Sequence, residues 1–461
     1  AAGHLPALAA APAAARRHAG GGLSLAWYEV LALLIGMLML FMLIGMPVVF
    51  AFFAANLVGA WVFMGGEIGV MQLVRNAADS VQSFALLPIP LFIFMGEIMF
   101  HTGVAGRAID AIDKLIARVP GRLSLVAIAG GTVFSSLSGS TIANTAMLSS
   151  TLLPEMYKRG YHSSIAVGPI VAVGGLAMLI PPSALAVLLG SVARIPIGEL
   201  LVASIIPALI LATLFFGYII IRCWRNPEIA PPYEVAQLTW RERTLPFLKY
   251  VLPLMSLFVV VVGSIVGGIA TPTESAALGA AGALAAAAAY RRLDRKGFVV
   301  ALRETLRFTV MTLFIIAGSI TFSQIMAFTQ ASNGLSELVT GAGLSPLMVL
   351  IGMLAILMFL GCFMDQVSMM MITSPLFMPV AEHLGLDIVW FGVLMLMILE
   401  ISLATPPFGL LLFVAKGAAP NTSMREIIVS VLPFIGLALL VVALLIAVPD
   451  LTLLLPRLMA P

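Results

Sequence analysis

Two short polar stretches carry the chemistry open to this chain. Ser135-Ser136-Leu137-Ser138-Gly139-Ser140-Thr141 is followed one turn later by Asn144, and Gly361-Cys362-Phe363-Met364-Asp365 is followed by Ser368. Each has a downstream companion, Gly174-Gly175 with Pro181-Pro182-Ser183 for the first and Thr405-Pro406-Pro407 with Gly409 for the second. Hydroxyls, a carboxylate and the carbonyls that Gly and Pro leave unpaired are hard oxygen donors, which suit Na⁺ better than a transition metal. A helix starting after such an interruption turns its partial positive end to an anion. A single Ser or Thr at such a place reads first as packing or as back-bonding to a carbonyl. Two symmetric clusters together read as a site. Glu97, Asp365 and Glu400 lie within long apolar runs. Asp365 leads because it sits in a polar tip; Glu400 reads equally as a partner for a helix end or a companion subunit, and Glu97 as an interfacial residue.

The elements that must position these groups are set by composition. Only 10% of the 461 residues are charged and 61% are apolar, with mean hydropathy +1.12. That excludes a soluble multidomain enzyme and a disordered chain. Apolar runs of about 20 residues exclude an outer-membrane barrel. The net charge of +3 sits in short loops, a topology signal rather than a nucleic-acid footprint. The chain is therefore an all-α polytopic membrane protein embedded in a lipid bilayer. Ten apolar segments are expected to cross it, near 25–45, 47–65, 86–104, 163–190, 198–222, 250–269, 273–290, 308–328, 388–416 and 427–449. Pro181-Pro182 interrupts the fourth and Pro406-Pro407 the ninth.

Residues 123–153 and 346–378 behave differently. Each is split by a polar tip into arms of about 13 residues, roughly 20 Å of helix, too short to span. The loops flanking the first are both basic, with Arg107, Lys114, Arg118 and Arg122 before it and Lys158 and Arg159 after it; no Lys or Arg occurs between Arg307 and Lys416. Matching flanks point to two re-entrant helical hairpins rather than two kinked spans. The halves also align at an offset of 225 residues: Pro47 with Pro272, Pro154 with Pro379, Gly160 with Gly385, Pro181-Pro182 with Pro406-Pro407, and Ser140 with Asp365. Five spans and a hairpin per copy make the second copy enter the membrane upside down. With the first hairpin opening to the cytoplasm, all basic residues except Arg16, Arg17, Arg75, Arg194 and Arg457 fall inside.

The expected division is an N-terminal tail or linker (1–24), repeat 1 (25–224), a cytoplasmic connector (225–249), repeat 2 (250–449) and a C-terminal tail (450–461). Inverted repeats with discontinuous helices are the architecture of secondary transporters, with the site between repeats near the midplane. Arg107 to Val119 reads as an amphipathic helix at the cytoplasmic interface, with Ile109, Ile112, Ile116 and Val119 on one face. Cys223 and Cys362 are far apart, the five histidines lack ligand spacing, and no Ser/His, paired-Asp or His-x-x-x-His arrangement suggests catalysis.

The residues also carry a resemblance. Gly45-Met46-Pro47-Val48, Ser138-Gly139-Ser140, Pro154 with Gly160-Tyr161, Leu179-Ile180-Pro181-Pro182-Ser183, Thr271-Pro272-Thr273-Glu274, Asp365 and Thr405-Pro406-Pro407-Phe408-Gly409 form an ordered set. Over about residues 25–449 the chain resembles the large membrane subunit of tripartite ATP-independent periplasmic (TRAP) transporters, of the ion transporter superfamily. The resemblance implies an elevator-type, Na⁺-coupled uptake system of the bacterial inner membrane, not an enzyme. Its partners would be a small four-helix membrane subunit and a soluble periplasmic binding protein that delivers a small organic anion. It implies Na⁺ at Ser138, Gly139, Ser140, Thr141, Gly175 and Pro181, and at Gly361, Asp365, Thr405 and Pro406. The carboxylate substrate would lie between them, against Asn144, Ser183, Ser368, Pro407 and Gly409. Two positions depart from the family's pattern: Ala177 and Ser402 stand beside the breaks where glycine is common. A stand-alone carboxylate symporter or an ion channel, needing no binding protein, is the alternative.

Overall fold

The computed structural model describes residues 25–116, 119, 121–138, 140–231 and 239–459; the expected N-terminal tail lies outside them. The first half runs α1 (Trp27–Leu43), α2 (Val48–Phe63), α3 (Glu67–Val81), α4 (Pro88–His101), α5 (Val104–Leu115), α6 (Arg122–Ser138), α7 (Thr141–Lys158), α8 (Ser163–Gly174), α9 (Ala184–Ala193), α10 (Ile197–Ala203) and α11 (Ile205–Arg225). A short α12 (Trp240–Pro246) leads to α13 (Leu252–Val266), α14 (Pro272–Ala289), α15 (Arg295–Phe328), α16 (Ala331–Gly341), α17 (Pro346–Leu360), α18 (Gln366–His383), α19 (Ile388–Leu403), α20 (Leu410–Ala418), α21 (Met424–Ala447) and α22 (Asp450–Met459).

Shifted by 225 residues, α1, α2 and α5 fall on α13, α14 and α16, and α6 to α9 fall on α17 to α20. α7 and α18 match end to end. Both close with a glycine of positive φ, Gly160 (77°) and Gly385 (67°). The following amides reach back five residues, Tyr161 to Met156 and Leu386 to Ala381, which satisfies carbonyls the helix ends would otherwise strand. Two helices are split in the first half only. Pro88 and Pro90 open α4 and separate it from α3, whereas the equivalent Leu313 and Ile315 let α15 run unbroken for 34 residues. α10 and α11 part at Ser204, whereas the corresponding α21 runs on through Pro433.

Helices occupy all ten apolar segments, with corrections. Among the described residues five stretches are individually long and apolar enough to cross a membrane: Phe84–His101, Ile197–Arg225, Trp240–Val266, Arg295–Phe328 and Met424–Ala447. Others stop short of their runs; α1 and α2 have 17 and 16 residues, ended by turns at Gly45 and at Gly65-Gly66. The hairpin arms are longer than about 13 residues: α6 and α7 have 17 and 18, α17 and α18 have 15 and 18. Pro154 does not end α7, because it lies on the exposed face where the carbonyl it frees is not sealed from a partner. The amphipathic helix, α5, begins and ends earlier than Arg107–Val119, and the C-terminal tail is in fact α22, packed on α10 and α19. α3 has no counterpart among the expected elements.

Packing gathers the helices into two groups. α2, α4, α14 and α15 lie against one another. Small residues of α14 (Ala276, Ala280, Ala283) are buried there, and the Asn56 amide of α2 donates to the Gly318 carbonyl of α15 at 2.7 Å. The other group centres on α8 and α19, buried almost throughout. α5 packs on both α4 and α6, and Arg122 at the start of α6 donates to the Asp113 carboxylate (2.7 Å) and carbonyl (2.6 Å). Burial pushes the Asp113 carboxyl up, and the charges of Arg122 and Arg159 pull it back.

Gly168 is where α8 meets α21: a Cβ there would lie 2.3 Å from the Ser430 carbonyl oxygen and 2.7 Å from the Phe434 ring. Gly168→Ala is expected to separate the helices and cost about 1–3 kcal/mol. A thermal-unfolding midpoint in detergent equal to wild type would show that the contact is looser than the structure places it.

Candidate functional site

Four helices begin after an interruption, and their first residues open on one cavity. α7 starts at Thr141 after the first hairpin tip, α18 at Gln366 after the second, and α9 and α20 at Ala184 and Leu410 after the two broken helices. Local chemistry explains each start. Ser140 caps α7 by accepting the Ala143 N–H (3.3 Å), and Ser183 caps α9 by accepting the Ala186 N–H (3.1 Å). Asp365 caps α18, accepting the Ser368 N–H at 3.1 Å and the Ser368 hydroxyl. Gly409 precedes α20 without a side chain to cap it. Each cap satisfies one of the four free N–H groups of its helix, and the remainder keep the end electropositive.

The cavity has a volume of about 480 Å³, within the usual range of small-molecule sites. The hairpin tips supply Ser140, Thr141, Asp365 and Ser368. The opposite wall comes from the other helix group: Val48 of α2, Glu97 of α4, and Phe308 and Met311 of α15. None of the described lining residues is Lys, Arg or His, and the two carboxylates are Glu97 and Asp365. Glu97 faces His101 one turn on, with Oε2 3.1 Å from Nε2.

The other expected site residues lie around this cavity rather than on it. Gly139, and the side chain of Ser138, fall outside the described residues. Asn144 is fully buried between arms, donating to Ser135 Oγ (2.6 Å) and the Gly131 carbonyl (3.3 Å). Pro181 borders a smaller apolar cavity beside Thr132, Met255 and Phe258. Thr405 back-bonds to the Ile401 carbonyl (2.8 Å), and the Pro406 carbonyl accepts from Cys362 Sγ at 3.4 Å. Pro407 and Gly409 lie just before α20, whose first residue lines the cavity. Pro181-Pro182 and Pro406-Pro407 are both cis.

The structure adds residues to the sequence reading. Gln366 lines the cavity and stands at the 225-residue offset from Thr141, so the repeat itself could have found it. Phe308 and Met311 carry no such signal. Thr271 and Glu274, a family motif without assigned role, form a capping box: Glu274 accepts the Thr271 N–H (2.7 Å) and Thr271 accepts the Glu274 N–H (3.3 Å). Among the described residues no group of three or more His, Cys, Asp or Glu could hold a metal ion.

Paired helical hairpins and broken helices around a shared cavity are the architecture of a membrane transporter. The comparisons agree. A family model described as "Tripartite ATP-independent periplasmic transporter, DctM component" matches residues 35–451. The C4-dicarboxylate TRAP transporter large permease protein DctM of Rhodobacter capsulatus is 30% identical over 442 residues, 93% of this chain and 99% of its own. The sialic acid TRAP transporter large permease protein SiaM of Vibrio cholerae is 30% identical over 419 residues, 90% of this chain and 95% of its own. The fold is shared with the Alcanivorax borkumensis YdaH transporter, TM-score 0.55 at 14% identity, over 86% of this chain and 91% of that one. This chain belongs to the DctM family of TRAP large permeases; it is a multi-pass membrane transport protein, not an enzyme.

Gly361, at the end of α17, leaves the room that the Ser402 side chain fills beside the break. A Cβ on Gly361 would fall 1.9 Å from Ser402 Oγ and 2.2 Å from its Cβ. Gly361→Ala is therefore expected to destabilise the second hairpin by more than about 2 kcal/mol, and Ser402→Gly to restore most of the loss. Additive effects in the thermal-unfolding midpoints of the double variant would refute this direct contact.

Proposed function

We propose that this permease carries out Na⁺-coupled uptake of a small organic acid across the bacterial inner membrane, together with a small four-helix subunit and a periplasmic binding protein. The observation that carries the reading is the convergence of four helix N-termini and both hairpin tips on one cavity. The names of the relatives support the substrate class, one a C4-dicarboxylate permease and the other a sialic acid permease. An anionic carboxylate is drawn to the starts of α7, α9, α18 and α20, where uncapped N–H groups and the helix dipoles act together.

The donor set suits a hard monovalent cation. Asp365 receives only N–H and O–H donors, and Ser140, Thr141, Asp365 and Ser368 bring hydroxyl and carboxylate oxygens to the cavity wall. Bound there, Na⁺ would neutralise Asp365 and offset repulsion between that carboxylate and the substrate. In this reading residues 25–224 and 250–449 are inverted repeats. The hairpins with α8, α9, α19 and α20 form the moving unit of an elevator, and α2, α4, α14 and α15 form the fixed wall it slides against.

Uptake into liposomes containing the permease and its small subunit is expected only with Na⁺ and added binding protein; full uptake without the binding protein would favour the stand-alone carrier. Asp365→Asn removes a charged acceptor worth about 1.5–3 kcal/mol, so the Na⁺ concentration for half-maximal uptake should rise about 10-fold or more. Ser140→Ala should raise it less. An unchanged Na⁺ titration for Asp365→Asn would remove that residue from the ion site.

A further inference from the structure

Two cations converge on one tyrosine ring outside the residues that line the transport cavity. Arg107, near the start of α5, donates from Nη1 to the Tyr250 hydroxyl at 3.2 Å, across 143 residues of sequence. Its guanidinium carbon stands 5.4 Å from the centre of that ring, and Lys249 Nζ stands 5.5 Å from the same centre. Lys249 and Tyr250 lie in the π-helical turn Phe247–Val251 that joins α12 to α13. Tyr290, at the end of α14, packs beside Tyr250 with ring centroids 5.4 Å apart and donates its hydroxyl to the Lys249 carbonyl. Arg291 and Arg292 follow it. Arg291 holds a φ of 54°, a left-handed position that a helix end usually gives to glycine.

The cluster has no counter-charge. Among the described residues, Arg107, Lys249, Arg291 and Arg292 take part in no ion pair. The carboxylates nearest in sequence are engaged or turned to water. Asp294 caps α15 by accepting the Gly297 N–H at 3.0 Å, Glu242 accepts the Thr239 N–H at 2.8 Å, and Asp110 is exposed. The Tyr250 hydroxyl accepts from Arg107, and among the described residues nothing accepts its own proton. A basic loop that served only to set topology would leave its cations spread in water. Here a guanidinium, an ammonium and a phenol O–H are held together on a packed aromatic pair. That is the donor set from which a phosphate group accepts.

The surroundings favour a lipid over a soluble phosphate. Leu245, Leu248 and Leu252 are each half or more exposed and follow one another at helical spacing from α12 into α13. Lys249 lies on the same stripe, four residues after the first and three before the last. A cation set in an exposed apolar stripe suits a headgroup with acyl chains attached. Trp240, 79% exposed, opens the segment, as aromatic residues do at membrane interfaces. We infer that Arg107, Lys249 and Tyr250 hold the phosphate of an anionic phospholipid, its acyl chains lying along Leu245, Leu248 and Leu252. Arg291 and Arg292 add to the local positive potential. Such a lipid ties the start of α5 to the start of α13.

Binding of phosphatidylglycerol to the delipidated permease in a non-ionic detergent, followed by native mass spectrometry, tests the site. Phosphatidylcholine is the zwitterionic comparison. Glycerol phosphate and inorganic phosphate, which carry the group without acyl chains, are added as competitors. Phosphatidylglycerol is expected to bind at least about 5-fold more tightly than phosphatidylcholine, and Lys249→Gln and Arg107→Gln should each weaken it about 5-fold, the worth of one cation at a membrane surface. Arg425→Gln, at the start of α21 and outside the cluster, should leave it unchanged. Equal affinity for the two lipids, or binding unmoved in Lys249→Gln, overturns the inference; equal weakening in Arg425→Gln does so as well, because charge anywhere on the surface would then suffice. Displacement by glycerol phosphate or inorganic phosphate at concentrations matching the lipid's would assign the cluster to a soluble anion and overturn the lipid. Arg107 is half-buried, so should Arg107→Gln not fold, the exposed Lys249→Gln carries the test.

Discussion

The structure depends on one constraint: a helix that stops inside a membrane must not leave its terminal N–H and C=O groups facing lipid. Four helices start at such places. Ser140, Ser183 and Asp365 each take up one N–H at their own helix start. The others have to face protein or a polar cavity, so the breaks can sit only where a second group of helices covers them. α2, α4 and α15 supply that cover, and their apolar faces need close, immobile packing to do it. The Asn56 to Gly318 bond and the alanine face of α14 meet that need without exposing a polar group to lipid. The cavity is thus the space that interrupted helices require.

The two halves share their hairpins but differ in their walls. α7 and α18 agree in length to the residue, while α3 and α4 are split and α15 is not. The pattern is physically sensible. The tips and breaks must present the same backbone groups from both sides, whereas the wall elements answer to different surroundings. Prolines placed in one copy only, Pro88 and Pro90, separate α4 from α3. Gly175, the counterpart of Glu400 at the 225-residue offset, is a sharper case: a Cβ there would stand 3.3 Å from Glu400 Oε2, so the repeat cannot be symmetric without placing two carboxylates in contact.

Much of this was legible from sequence because Gly and Pro act locally. The hairpin tips, both Pro-Pro breaks and the repeat offset follow from residues that change backbone conformation where they stand. Helix length was less legible. The expected first hairpin stops at residue 153, but a proline on an exposed face only frees a carbonyl that is not sealed in, so α7 continues through Pro154 to Lys158. Long-range partners were not legible at all. Nothing near Glu400 in sequence points to Thr141, 259 residues away, and α15 contributes Phe308 and Met311 to the cavity only through the crossing of two helix groups.

The charge arrangement constrains how such a cavity can work. Among its described lining residues there are two carboxylates and no base, so on the proposed reading the attraction for an anion would come from helix starts rather than from side chains. Each start supplies roughly half a positive charge that cannot be neutralised by deprotonation and cannot swing away. Asp365 opposes that attraction as long as it is bare. On the proposed reading a cation at the second tip reverses the balance: it cancels Asp365 and leaves the helix starts unopposed. Substrate affinity would then depend on the ion by electrostatics alone.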